Sequence, residues 1–275
     1  MPAGIGISYV SRRPTGNRII NGWVDRGGTS LGGATSGDAA STWYGTVTSG
    51  IGLDGPDRQH DHQWYVQNNS TYGQEVHSHA IAVNLLGSYQ LHMYTVGGTI
   101  QNFMYDGLIL GSNGANIGYG NAGPTDVTFQ NSWLTQGMCF GCGVSPATNI
   151  TWDGNTLVNG AGVSVAGGAG TNYDTNNRYF GGGTSSGWPE GTTQTGNTSY
   201  AGSPCPTGDD GSGNNVWLPL VNVYRNAFEP GRAHIALWNC RGDTTHSQDV
   251  SSFLSIGDPY EVLDVYNLAA GPISA

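Results

Sequence analysis

Five of the seven histidines fall between residues 60 and 92: His60, His62, His77, His79 and His92. Four of them form His-x-His pairs, and alternate residues of an extended strand point to one face. Two such pairs on neighbouring strands would present four imidazole nitrogens, a donor set suited to Zn or Cu. Asp57 and Asp61 would add an oxygen ligand or orient a ring, and Ca is the other divalent metal in question. The competing reading is structural. A neutral imidazole donates from one nitrogen and accepts at the other, so the same residues could stack as polar spacers. Asp57, Arg58, His60, Asp61 and His62 are also the one local group with the composition for acid–base chemistry, although aspartates so spaced equally suit turns.

Aromatic residues form a second set. The chain has 14 Tyr and 8 Trp beside a charged fraction of only 10%. Trp64, Tyr65, Tyr89, Tyr94, Tyr105 and Tyr119 lie among Asn, Gln and Asp, a setting in which rings pack on the apolar faces of sugars. The alternative is that they face a core or a subunit contact.

The charge balance narrows the chemistry. There is no lysine; nine basic residues, all Arg, stand against 19 acidic ones, for a net charge of −10. Nucleic acid needs clustered cations to replace its counterions, and an anionic membrane surface needs the same, so neither is an expected partner. No apolar run reaches the roughly 20 residues that a membrane-spanning helix requires. The start, Met1 to Gly6, lacks the charged and apolar regions of an intact signal peptide, which leaves open whether a segment was removed. β-Elimination from a uronate polymer needs a Lys or Arg base with carboxylate-held Ca, and hydrolysis needs a carboxylate pair. Those parts are mostly missing, so catalysis is not the expected function. Were the chain an enzyme, it would be a polysaccharide lyase or a glycoside hydrolase.

The elements that must position these residues are short and repetitive. Alternating apolar runs recur about every 20–30 residues between Gly, Asn, Asp, Ser and Thr turns, a spacing that suits a solenoid better than a sandwich built from hairpins. Ile19, Val24, Val47, Ile81, Val83, Ile100, Val127, Phe129, Ile150 and Leu157 would fill the interior. Asparagines at corners would take left-handed backbone and form ladders between coils. Some six coils at about 4.8 Å each would make a rod of roughly 30 Å. The expected organisation is an all-β chain. Residues 1–184 form the parallel β-helix, and 185–215 a linker or long loop rich in Gly, Pro and Ser. Residues 216–275 form a small antiparallel, sandwich-like module that caps the solenoid. Its strands would be 216–224, 233–239, 250–254 and 260–266.

Four cysteines, Cys139, Cys142, Cys205 and Cys240, allow three complete pairings. Structural disulfides, buried thiols and half of a metal or redox site are all readings of this set. The redox reading lacks the helix start that a reactive CxxC requires. A bridge between Cys205 and Cys240 would tie the linker to the C-terminal module.

Three stretches carry a resemblance. They are Gly55-Pro56-Asp57-Arg58-Gln59-His60-Asp61-His62-Gln63-Trp64-Tyr65-Val66-Gln67-Asn68, then Gln90-Leu91-His92-Met93-Tyr94-Thr95, and a tail. The tail comprises Val223-Tyr224-Arg225-Asn226, Glu229-Pro230-Gly231-Arg232-Ala233 and Gly257-Asp258-Pro259-Tyr260-Glu261-Val262. Together they resemble bacterial secreted right-handed parallel β-helix repeat proteins with a C-terminal β module, over most of residues 15–270. Only His60, His62 and His92 fall on the shared pattern, and the solenoid begins partway up compared with such proteins. The resemblance implies an extracellular location, or one at a cell or virion surface. The first expectation for function is a structural β-helix that assembles with copies of itself as a filament, coat or virion component. The alternative is a secreted carbohydrate-binding or polysaccharide-degrading protein.

Overall fold

The computed structural model describes residues 7–8, 18–25, 31–32, 41–51, 62–66, 68, 73–95, 100–120, 123–142, 145–200, 205, 207–209, 215–217, 219–240 and 242–273. The chain divides into two compact units, Met1–Pro204 and Cys205–Ala275.

Among the described residues, the first unit is a parallel β-solenoid of three sheets with eight strands each. One turn runs through Leu91–Thr95 in the first sheet, Ile100–Asp106 in the second and Ile109–Leu110 in the third, and the next turn starts at Ala115. Six turns between Trp64 and Tyr200 are described through most of their length, and two rungs precede them. The last rung is Ser185–Ser186, Thr193–Thr195 and Thr198–Tyr200. The solenoid therefore continues past residue 184 and takes in the first half of the stretch expected to be a linker. Ser, Thr and Gly make a poor apolar signature, yet backbone pairing to the rung before is enough to hold these short strands.

One corner sets the register of the whole stack. Between the second and third sheets every rung turns in two residues, the first of them left-handed: Asn21, Gly45, His79, Gly107, Asn131, Gly154, Asn176 and Gly196, with φ between 51° and 70°. Gly and Asn take this conformation at least cost. The second corner residue points inward on the later rungs, where Asn155, Asn177 and Asn197 form a ladder. Each backbone N–H of Asn155 and Asn177 donates to the amide oxygen of the next asparagine, at 2.8 and 2.9 Å. Among the described rungs, His79 is the one left-handed corner residue that is neither Gly nor Asn. His79→Asn is expected to change stability by less than about 0.5 kcal/mol, whereas β-branched His79→Val should cost about 1–3 kcal/mol. Urea midpoints measure both, and equal losses would show that the imidazole's contacts, not the backbone, decide the position.

Inside, a column of large residues in register along the second sheet forms the spine of the core. It runs Ile19, Trp43, His77, Tyr105, Phe129 and Trp152, then turns polar at Asp174. Ring centroids from Trp43 to Trp152 lie 5.2 to 6.0 Å apart. Most of the residues expected to fill the interior are buried, while Ile19 and Val24 on the first rung are half-buried. At the other end a polar network closes the column. Trp152 Nε1 donates to Tyr179 Oη at 3.0 Å, Ser185 Oγ donates to Asp174, and Asn177 Nδ2 donates to Asp174 Oδ1 at 3.0 Å. Burial pushes the Asp174 carboxyl above its ordinary range, against the opposing pull of these donors. Burial and the neighbouring Asp174 together raise Tyr179.

Among the described residues, the second unit has three two-stranded antiparallel ribbons: Thr207–Asp209 with Asn215–Trp217, Leu220–Arg225 with Ala233–Trp238, and Val262–Leu263 with Pro272–Ile273. The strand expected over 250–254 is instead a turn, in which the N–H groups of Phe253 and Leu254 both donate to the Val250 carbonyl. The cysteines form two disulfide pairs. Cys139–Cys142 sits in the solenoid with a Cα separation of 5.3 Å, and Cys205–Cys240 sits within the second unit at 6.0 Å.

Candidate functional site

Strand alternation along the first sheet divides its residues cleanly. Trp64, Leu91, Met93, Ala115, Ile117, Met138, Phe140, Val163 and Val165 point inward and are buried. The residues between them form an outward column in register: Tyr65, His92, Asn116, Cys139, Ser164 and Ser186.

At one end of this face lies a cluster of rings. His62 stacks on Tyr65 and on Tyr89 with centroids 5.7 and 5.9 Å apart. His92 meets Tyr65 edge-on at 5.6 Å and Tyr94 at 5.8 Å. His62 and His92 are buried, whereas the three tyrosines are half-buried. A directional pair of hydrogen bonds sets the histidine tautomers. The backbone N–H of Tyr89 donates to His62 Nδ1 at 3.4 Å, so that nitrogen carries no proton. His62 Nε2 then holds the proton and donates to His92 Nδ1 at 2.8 Å, which places the proton of His92 on Nε2.

Beyond the rings the face opens into a groove along the solenoid. It consists of two open, shallow depressions that share Tyr89, Cys139 and Ser164; Asn116 and Cys142 line one and Ser186 the other. Hydroxyls and one amide supply both donors and acceptors there, and the Cys139–Cys142 bridge supplies an apolar surface.

The expected site residues divide sharply. Tyr65, Tyr89 and Tyr94 come together on the face. Trp64 and Tyr105 do not: both are 0% exposed inside the solenoid, and Tyr105 Oη donates to Met93 Sδ at 3.4 Å. Each occupies an inward position of its strand, so neither can touch an external sugar. Among the histidines, His62 and His92 are brought together, but the His77/His79 pair does not share a face. His77 belongs to the inner column, while the chain has already turned the corner at His79. Its Nδ1 contacts Ser78 Oγ at 2.7 Å, its ring stacks on Tyr44, and burial lowers its pKa. The four-nitrogen set expected from the two pairs is thus not assembled, and no group of three or more metal-binding side chains occurs among the described residues. His62 and His92 are bridged by a proton at a separation shorter than a tetrahedral metal would impose. Asp57, Arg58, His60 and Asp61 lie outside the described residues, as does the side chain of Tyr119.

The grooved part of the face, Asn116, Ser164 and Ser186, was not among the expected site residues. Its signal is an apolar-x-apolar triplet on successive rungs, as in Leu91-His92-Met93, Ala115-Asn116-Ile117, Met138-Cys139-Phe140 and Val163-Ser164-Val165, in which the middle residue must face outward.

Fold and face together define a parallel β-solenoid with a tyrosine–histidine cluster at one end of an outward sheet face and a polar groove beyond it. No family model, curated protein or solved structure matches the chain.

Proposed function

We propose that the outer face of the first sheet binds an extended polysaccharide and that the solenoid is its non-catalytic support. The observation that carries this reading is the continuity of the tyrosine–histidine cluster with the groove of Asn116, Cys139 and Ser164. From Tyr65 to Ser186 the column spans five rung intervals, about 24 Å at the usual strand spacing. That length accommodates several sugar units, with tyrosine rings at one end and hydrogen-bonding side chains along the rest. Two disulfides fit a protein that works outside the reducing cytosol, at a cell or virion surface or beyond it.

Affinity electrophoresis in gels containing single polysaccharides tests the reading. The Tyr65→Ala/Tyr94→Ala double variant is expected to lose about tenfold in affinity for any polymer that retards the parent protein, given the 0.5–1.5 kcal/mol typical of an aromatic contact beyond its area. Unchanged retardation in that variant would overturn the assignment of the face.

One observation favours a second reading, self-assembly. All three residues of Thr193–Thr195 are exposed, as are Thr198 and Ser199, and among the described strands each of these two is the last of its sheet. Edges of this kind accept a strand from another copy. Light scattering separates the outcomes: a mass that grows with concentration supports assembly, and a monodisperse monomer at all concentrations rules it out.

A further inference from the structure

We infer that the polymer held by this face is uncharged, a conclusion that rests on the polysaccharide-binding reading above. The outward column, Tyr65, His92, Asn116, Cys139, Ser164 and Ser186, contains neither a carboxylate nor a guanidinium. The imidazoles on the described face are those of His62 and His92, and they hydrogen-bond to each other. The Tyr89 N–H can only donate, so His62 Nδ1 must accept, and a single proton then joins His62 to His92. A polyanion such as a uronate chain would find no cation along the described face to offset its desolvated carboxylates. It would also approach a protein that carries 19 acidic against nine basic residues, whose long-range field repels it. A polycation would be drawn by that same field, yet would meet no carboxylate on the described face to fix its position. Hydroxyl groups are what the face matches. Ser164, Ser186 and Asn116 both donate and accept, and the tyrosine rings offer apolar surface to the C–H faces of a neutral sugar.

The test compares the full-length protein on neutral β-glucan, mannan and xylan, on pectate and alginate, and on chitosan. The expected result is retention by at least one neutral polymer, with an affinity that shifts less than about twofold between about 0.01 and 1 M salt, a range over which the screening length falls from about 30 to 3 Å. Retention on pectate, alginate or chitosan should be at least tenfold weaker. Tight binding to a charged polymer that collapses with salt, and that the Tyr65→Ala/Tyr94→Ala variant weakens, would overturn the inference while leaving the face as a polysaccharide site. Retention by none of the polymers would overturn the underlying reading as well.

Discussion

Phe129→Ala is expected to remove about 3–5 kcal/mol of stability, the range for truncating a large buried aromatic residue. Phe129 is fully buried, with the ring of Tyr105 at 5.3 Å on one side and that of Trp152 at 5.2 Å on the other. Neither neighbour can collapse into the void, because each is fixed in register by its own strand. A solenoid's rungs contact only adjacent rungs, so the loss should be felt locally. Backbone amides in Ile100–Asp106, Pro124–Gln130 and Thr148–Asp153 should exchange faster, while those in Arg178–Phe180 should change least. Urea unfolding followed by hydrogen exchange measures both effects. A loss below about 1 kcal/mol would mean that the ring column is not a packed core.

The second large effect is expected where that column is interrupted. His77 Nε2 and Glu75 Oε1 are 2.7 Å apart, with side chains 0% and 4% exposed. The rings of Trp43, Trp64 and Tyr105 surround the imidazole at 6.0, 5.7 and 5.2 Å. Burial, and next the Glu75 charge, push the Tyr105 hydroxyl well above its ordinary pKa. Removing one partner strands the other without water, so Glu75→Ala or His77→Ala should each cost about 3–5 kcal/mol. Replacing both tells more. Glu75 is in register with Phe103, Val127 and Ile150, and His77 with Trp43 and Tyr105. The double variant Glu75→Leu/His77→Phe continues both columns and is expected to match or exceed the parent, by up to about 4 kcal/mol. Chemical denaturation of the two single variants and the double variant closes the cycle. A double variant as unstable as the singles would show that the pair is tied to more than its own partner.

Much of the solenoid was legible because its signals are local. Asn or Gly at the left-handed corner and alternating apolar runs each follow from one rung's own chemistry, and they mark the parallel sheets before any pairing is known. The last rung was not legible, since Ser185–Ser186, Thr193–Thr195 and Thr198–Tyr200 carry no apolar alternation and owe their conformation to the strands beside them. The candidate site was half legible for the same reason. Tyr65, Tyr89, Tyr94, His62 and His92 stand out by residue type, but spacing alone did not tell Tyr65 from its inward neighbour Trp64. His77 and His79 look like a pair on one strand because the corner falls between them in space, not in composition. Glu75 and Asp174 escaped notice because a lone carboxylate in a polar stretch looks like a surface residue, and only the register reveals that each faces inward.

The invariant two-residue corner has a consequence for how such a chain can change over generations. The step from the second sheet to the third admits no insertion without shifting the inner column. The connections on either side of the first sheet vary freely. Leu134 is followed closely by Met138, whereas Ser49 and Trp64 are separated by a long stretch. Among the described rungs, length variation occurs only beside the sheet that carries the groove. A lineage built on this plan could lengthen or trim the walls of its groove, and so retune what it holds, while the spine of rings behind it stayed as it was.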